Sequence, residues 1–228
     1  MTSPDRSTRE AGSEEPIGLD EAYAVRTPED NRLLYARWAD TYESGFVAER
    51  RYVYPKSVAG VFADGASSAD GPVLDVGCGT GLVGIAMCEL GGWMLDGLDM
   101  SEEMLARAAG KVDAAGAPVY TRLMTGDLTG RLDIPDCSYG GILSSGTFTH
   151  GHVGHGAFDE LYRIARPGAR FAIGVNAEHF EAEGFADRFD ADTACGRISD
   201  LVMRRVPIYE AGGDAGDRAL VAVFSKVT

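Results

Sequence analysis

Positive charge is scarce in this sequence: 21 Lys and Arg stand against 35 Asp and Glu in 228 residues, a formal net charge of −14. No basic run interrupts the acidity. Such a surface repels a polyanion, so neither nucleic acid nor an anionic membrane is an expected partner. Cysteine is sparse as well. Cys78, Cys88, Cys137 and Cys195 form no CxxC pair and have no histidine at ligand spacing, which argues against a zinc site or a disulfide framework and fits a reducing cytoplasm. No apolar stretch approaches the roughly 18 residues of a membrane span. The opening MTSPDRSTREAGSEEP lacks the hydrophobic centre of an export signal, so a soluble, unexported protein is expected.

What is present suffices for one sizeable core. With 45% hydrophobic and 25% charged residues, the chain is long enough for one domain and short for two. Residues 1–20 are small, polar and acidic, a composition that cannot bury enough apolar surface to order itself, and they are predicted to be a disordered tail. Residues 21–228 are then a single domain. Thr27-Pro28-Glu29-Asp30 is a good helix opening, and two helices, forming a cap over residues 28–64, are predicted before the first strand. From there strand-like and helix-like runs alternate: PVLDV, GLVGIAMCEL, WMLDGLD, SEEMLARAAGKV, PVYTRLM, YGGILSS, HGAFDELYRIA, ARFAIGVN. This alternation calls for a mostly parallel sheet with helices on both faces. The rhythm changes at DLVMRRVPIYE and RALVAVFSKV, joined by AGGDAGD, which read as an antiparallel hairpin at one end of the sheet. No internal repeat is visible.

The glycine-rich stretch VLDVGCGTGLVG, residues 73–84, is the first chemical signal. Glycines crowded behind a buried strand let the backbone approach a ligand closely. Gly79 to Gly84 fit the dinucleotide pattern GxGxxG, and Asp99 follows at a suitable interval, so a nicotinamide-linked oxidoreductase is one reading. However, the glycines begin earlier, at Gly77, and Asp75 lies where its carboxylate would repel a pyrophosphate. A ligand bearing cations suits Asp75 better.

VLDVGCGTG resembles motif I of the class I S-adenosylmethionine-dependent methyltransferases, and GLDMSEEML is similar to the second strand and acidic loop that follow it in that family. GDL at 126–128, ILSSGTFTHGHV and LYRIARPGARFAIGV extend the likeness over residues 28–228. LLYARWADTYE is similar to the opening of small-molecule methyltransferases, among them the Williams–Beuren-region methyltransferase-like group. The resemblance implies a Rossmann-like α/β fold with a seven-stranded sheet, the cofactor S-adenosylmethionine and a small-molecule substrate methylated by in-line displacement. It also implies site residues. Gly77, Cys78, Gly79, Thr80 and Gly81 form the loop under the cofactor. Asp75 serves its ammonium and Asp99 its ribose hydroxyls. Met100 lies on the adenine, Asp127 and Leu128 meet the adenine edge, and Ser144 ends the fourth strand. Tyr35 and Tyr42 close over the methionine end.

Other readings stay open. A non-catalytic S-adenosylmethionine-binding module would keep the same motifs. Trp38 and Tyr42 sit one turn apart, and a helical aromatic stripe is more often core than ligand contact. His150, His152 and His155 crowd into THGHVGH. In the resembling fold this loop faces the transferring methyl, which makes His150, and less directly His152, candidate bases; loop histidines bonding backbone are the plain alternative. The segment 176–200, with phenylalanines about four apart, is expected to be a helix and part of a lid.

Overall fold

The computed structural model describes residues 28–39, 41–67, 71–149, 153–210 and 218–228. The expected tail therefore lies outside the described residues, as do His150 and His152. Seven strands form one sheet: β1 (Val73–Val76), β2 (Leu95–Asp99), β3 (Arg122–Thr125), β4 (Tyr139–Phe148), β5 (Ala165–Val175), β6 (Ile198–Pro207) and β7 (Arg218–Lys226). Their order is β3-β2-β1-β4-β5-β7-β6. The first five are parallel, and β7 enters antiparallel between β5 and β6, as the hairpin reading requires.

Both faces of the sheet are apolar because successive side chains point to opposite sides. Along β7, Val221 and Val223 join one buried cluster while Ala222 and Phe224 join the other. Helices α1 (Pro28–Trp38), α2 (Tyr54–Ala63), α3 (Leu82–Leu90), α4 (Glu102–Ala109), α5 (Ala157–Ile164), α6 (Ala177–Ala182) and α7 (Phe185–Ala194) connect or precede the strands. Helix α1 starts at Pro28, as its opening predicts. A π-helical turn at Glu43–Val47 follows it, where the sequence reading had only helix. Helix α4 is capped by Ser101, whose hydroxyl accepts from the Met104 amide at 3.2 Å, with Glu102 and Glu103 in the first turn. No described helix is long and apolar enough to cross a membrane.

Two expectations are corrected. Strand β4 does not end at Ser144 but continues to Phe148. Ser144 pairs with Ile173 and Phe148 with Val175, so four steps along β4 match two along β5. The surplus forms a bulge at Ser145, Gly146 and Thr147, with Gly146 at φ +83°. The segment 176–200 is not one helix over the site. It breaks at Gly184, φ +71°, into α6 and α7, and Phe185 and Phe189 are fully buried in the sheet's core. The Phe189 ring lies 5.1 Å from Phe158 and 5.6 Å from Phe224. Burial against the sheet accounts for the phenylalanine spacing, and no lid is needed to explain it.

This placement is testable. Phe189→Ala should cost about 3–5 kcal/mol as a core truncation, lowering the melting temperature by roughly 6–20 °C. An unchanged melting temperature in a calorimetric scan would return Phe189 to a peripheral role.

Candidate active site

A cavity opens at the carboxyl ends of β1, β2 and β4, where open α/β sheets bind their ligands. Its floor is the glycine loop after β1. Gly79 adopts φ +52°, and a Cβ placed there would meet nothing within 4 Å, so it faces open space in the cavity. Gly77 has a different reason: its Cβ would fall 1.9 Å from Thr147 Oγ1. The last glycine of the GxGxxG pattern, Gly84, leaves room for the Tyr120 ring, which would lie 2.5 Å from a Cβ. Close protein packing, and not a pyrophosphate, explains that position.

Asp99 ties the loop to β2. Its Oδ2 accepts from the Gly79 amide at 2.8 Å and its Oδ1 from the Ser101 amide at 2.9 Å, and the residue lines the cavity. Burial raises its pKa, and the amides of Ser101, Gly79 and Met100 pull it back in part. Asp127 also lines the cavity; its Oδ1 accepts from the Thr129 amide and hydroxyl, both at 2.8 Å. Met100, Leu128, Cys78 and Thr80 complete this end. Burial, with Asp75 and Asp99 nearby, pushes the Cys78 thiol well above its ordinary range, so it is no nucleophile.

Tyr35, Trp38 and Tyr42 also face the cavity, Trp38 being buried at the same time. Trp38 meets Tyr42 edge-on at 5.1 Å. The choice between core and lining is therefore not exclusive. An ion pair between Lys111 Nζ and Glu43 at 2.6 Å fastens this N-terminal segment to the end of α4.

Three of the residues singled out in the sequence do not line the cavity. Gly81 packs against Tyr120 and Lys111, and Ser144, fully buried, donates its hydroxyl to the Val76 carbonyl at 2.7 Å. Asp75 is fully buried behind the loop, where Tyr120 donates to its Oδ2 at 2.7 Å. Its Oδ1 has no hydrogen-bond partner. Burial raises its pKa to about 7, against the Tyr120 hydrogen bond, which lowers it.

The sequence reading passed over the opposite wall. Tyr52, Tyr54, Ile208 and Tyr209 line it together with the bulge residues Ser145, Gly146 and Thr147. The backbone joins them: Tyr52 bridges Tyr209, and the Val53 and Tyr54 amides donate to the Ile208 carbonyl. Two tyrosines spaced for one face of a strand, in RYVYP, were the available signal.

The strand order separates the two readings of the glycine loop. A dinucleotide fold runs 3-2-1-4-5-6 with no antiparallel strand inserted before its last member, whereas β7 is inserted here. Residues 73–168 match the family model described as a methyltransferase domain. This segment is a class I methyltransferase domain. Its cofactor is S-adenosylmethionine. Over 109 residues, 47% of this chain, it is 28% identical to the O-methyltransferase resE of Aspergillus sclerotiorum. Over 101 residues, 44% of the chain, it is 27% identical to the sterol 24-C-methyltransferase of Yarrowia lipolytica. The chain spans 40% and 26% of the length of these relatives. In fold, the chain is similar to a SAM dependent methyltransferase from Aquifex aeolicus. The TM-score is 0.57 at 19% identity, over 84% of this chain and 98% of that one.

The cavity fits this cofactor. Gly79 leaves an open cradle, Asp99 and Asp127 supply acceptors, and no cation stands among the described lining residues to ask for a phosphate.

Asp75 makes stability depend on pH. A carboxyl with a raised folded pKa holds its proton more tightly when folded. Its contribution is therefore fully present below the unfolded value near 4 and is lost as pH rises to about 7. Relative to Asp75→Asn, the ligand-free wild type should gain up to about 1.4 kcal/mol per pH unit on acidification from pH 7 to 5. Parallel denaturation curves for the two proteins across that range would remove Asp75 from this role.

Proposed function

We propose that the protein transfers the methyl group of S-adenosylmethionine to a small-molecule acceptor by in-line displacement. One observation carries the reading: Asp99 and the hydroxyl-rich wall of Tyr52, Tyr54 and Ser145 line the same cavity, so a cofactor site and an acceptor site share one space. The bound cofactor supplies a methyl group already activated on a sulfonium. The protein's task is to hold an acceptor beside it and keep water out.

In this reading Asp99 accepts the ribose hydroxyls, as an ionised carboxylate with two oxygens does well. Asp127 takes the adenine amino group, the Leu128 amide a ring nitrogen, and Met100 the ring face. Asp75 acts on the ammonium end through the loop in front of it. Tyr35, Trp38 and Tyr42 belong to a cap formed by residues 28–64 on a single domain of residues 21–228. That cap shields the methionine end. His150 follows Thr149, which lines the cavity, and is the base for any acceptor that must lose a proton. The free cysteines suit a reducing cytoplasm.

Titration calorimetry tests the reading directly. S-adenosylmethionine and S-adenosylhomocysteine should each bind with measurable heat, and Asp99→Ala should weaken both about a hundredfold or more. Part of that loss comes from the loop, because the substitution also releases the Gly79 amide. No heat with either ligand at high micromolar concentration, from a folded protein, would refute the proposal. So would an Asp99→Ala affinity within threefold of wild type.

A further inference from the structure

The wall opposite Asp99 has a chemistry of its own. Tyr52 stands 6.3 Å from Tyr54 and 5.9 Å from Tyr209, ring centre to ring centre, with Ile208 and Ala219 between neighbouring elements. Two hydroxyls on this wall are buried and have no hydrogen-bond partner: Tyr54 Oη and Ser145 Oγ. They belong to one place in the fold. A Cβ on Gly174 would fall 2.1 Å from Tyr54 Oη and 3.1 Å from the Ser144 carbonyl, so the phenol lies by the end of β5 and by Ser144 of β4, the residue before the bulge that carries Ser145. Buried polar atoms without partners cost stability, and two at one end of a cavity point to a ligand that satisfies them.

Among the described lining residues there is no Lys, Arg or His, and the carboxylates present, Asp99 and Asp127, are at the cofactor end. Apart from the cofactor's own sulfonium, a carboxylate or phosphate brought against this wall would meet no cation among the described lining residues, in a chain of net charge −14. Burial also pushes the Tyr54 phenol up, which keeps it a neutral hydrogen-bonding group.

We propose that the acceptor is a ring compound without carboxylate or phosphate, stacked on the tyrosine wall, with one hydrogen-bonding group seated between Tyr54 and Ser145. This inference rests on the methyltransferase reading, and its test separates the two. The protein is first saturated with S-adenosylhomocysteine, whose binding is measured by calorimetry. The complex is then titrated with 2-naphthol and with 2-naphthoate, which share a ring system and differ in charge. The naphthol should bind at least thirtyfold more tightly than the naphthoate. Tyr54→Phe and Ser145→Ala should each weaken naphthol about fivefold while S-adenosylhomocysteine affinity stays at the wild-type value and the melting temperature of the ligand-free protein holds or rises, because each removes an unpartnered buried hydroxyl.

Failure of S-adenosylhomocysteine to bind refutes the function proposed above. With that binding intact, naphthoate affinity within threefold of naphthol, or no binding of either, overturns the acceptor class. Unchanged naphthol affinity in both variants overturns the seat between Tyr54 and Ser145.

Discussion

The site depends on one carboxylate. Asp99, at the end of β2, accepts from the Gly79 amide with one oxygen and from the Ser101 amide with the other. It thereby fixes the loop after β1 against the start of α4. Two backbone amides that would otherwise be left without a partner are satisfied, and the loop keeps a positive φ at Gly79 without a side chain to brace it. The same residue lines the cavity, so the group that shapes the loop is also exposed to whatever the cavity holds.

The rest of the molecule holds β1, β2 and β4 in register for this purpose. The sheet is buried on both faces, and the phenylalanines of α5, α7, β4, β5 and β7 pack into one aromatic cluster behind it. Phe171 stacks on Phe224 at 4.7 Å across the antiparallel pair that distinguishes this fold from a dinucleotide-binding sheet. On the other face Tyr120 fills the space that Gly84 leaves and donates to Asp75. The Val76 carbonyl at the end of β1 accepts from both Ser144 and Thr147. Those bonds anchor the β4 bulge and turn Ser145 and Gly146 into the cavity.

Much of this was legible in the sequence. The alternating apolar runs gave the strand and helix order, and VLDVGCGTG with GLDMSEEML gave the loop and Asp99, because these are local patterns with short-range causes. What the sequence hid is non-local. That β4 outruns β5 depends on their pairing and on Gly146. The tyrosine wall forms only because residues 52–54 pair with 208–209, far apart in the chain. Helical spacing in 176–200 was visible, but which surface its phenylalanines cover is decided by the sheet. Asp75 was read from its motif as the carboxylate serving the ammonium; its position behind the loop, held by Tyr120, could not be read from motif spacing.

The central claim is that Asp99 joins loop and ligand. A crystal structure with S-adenosylhomocysteine tests it most directly. The account predicts both ribose hydroxyls within about 3 Å of the Asp99 carboxylate, the adenine against Met100 and Leu128, and the sulfur facing the Tyr54 and Ser145 wall. A ligand whose ribose lies away from Asp99, or whose sulfur points out of the cavity, would contradict it.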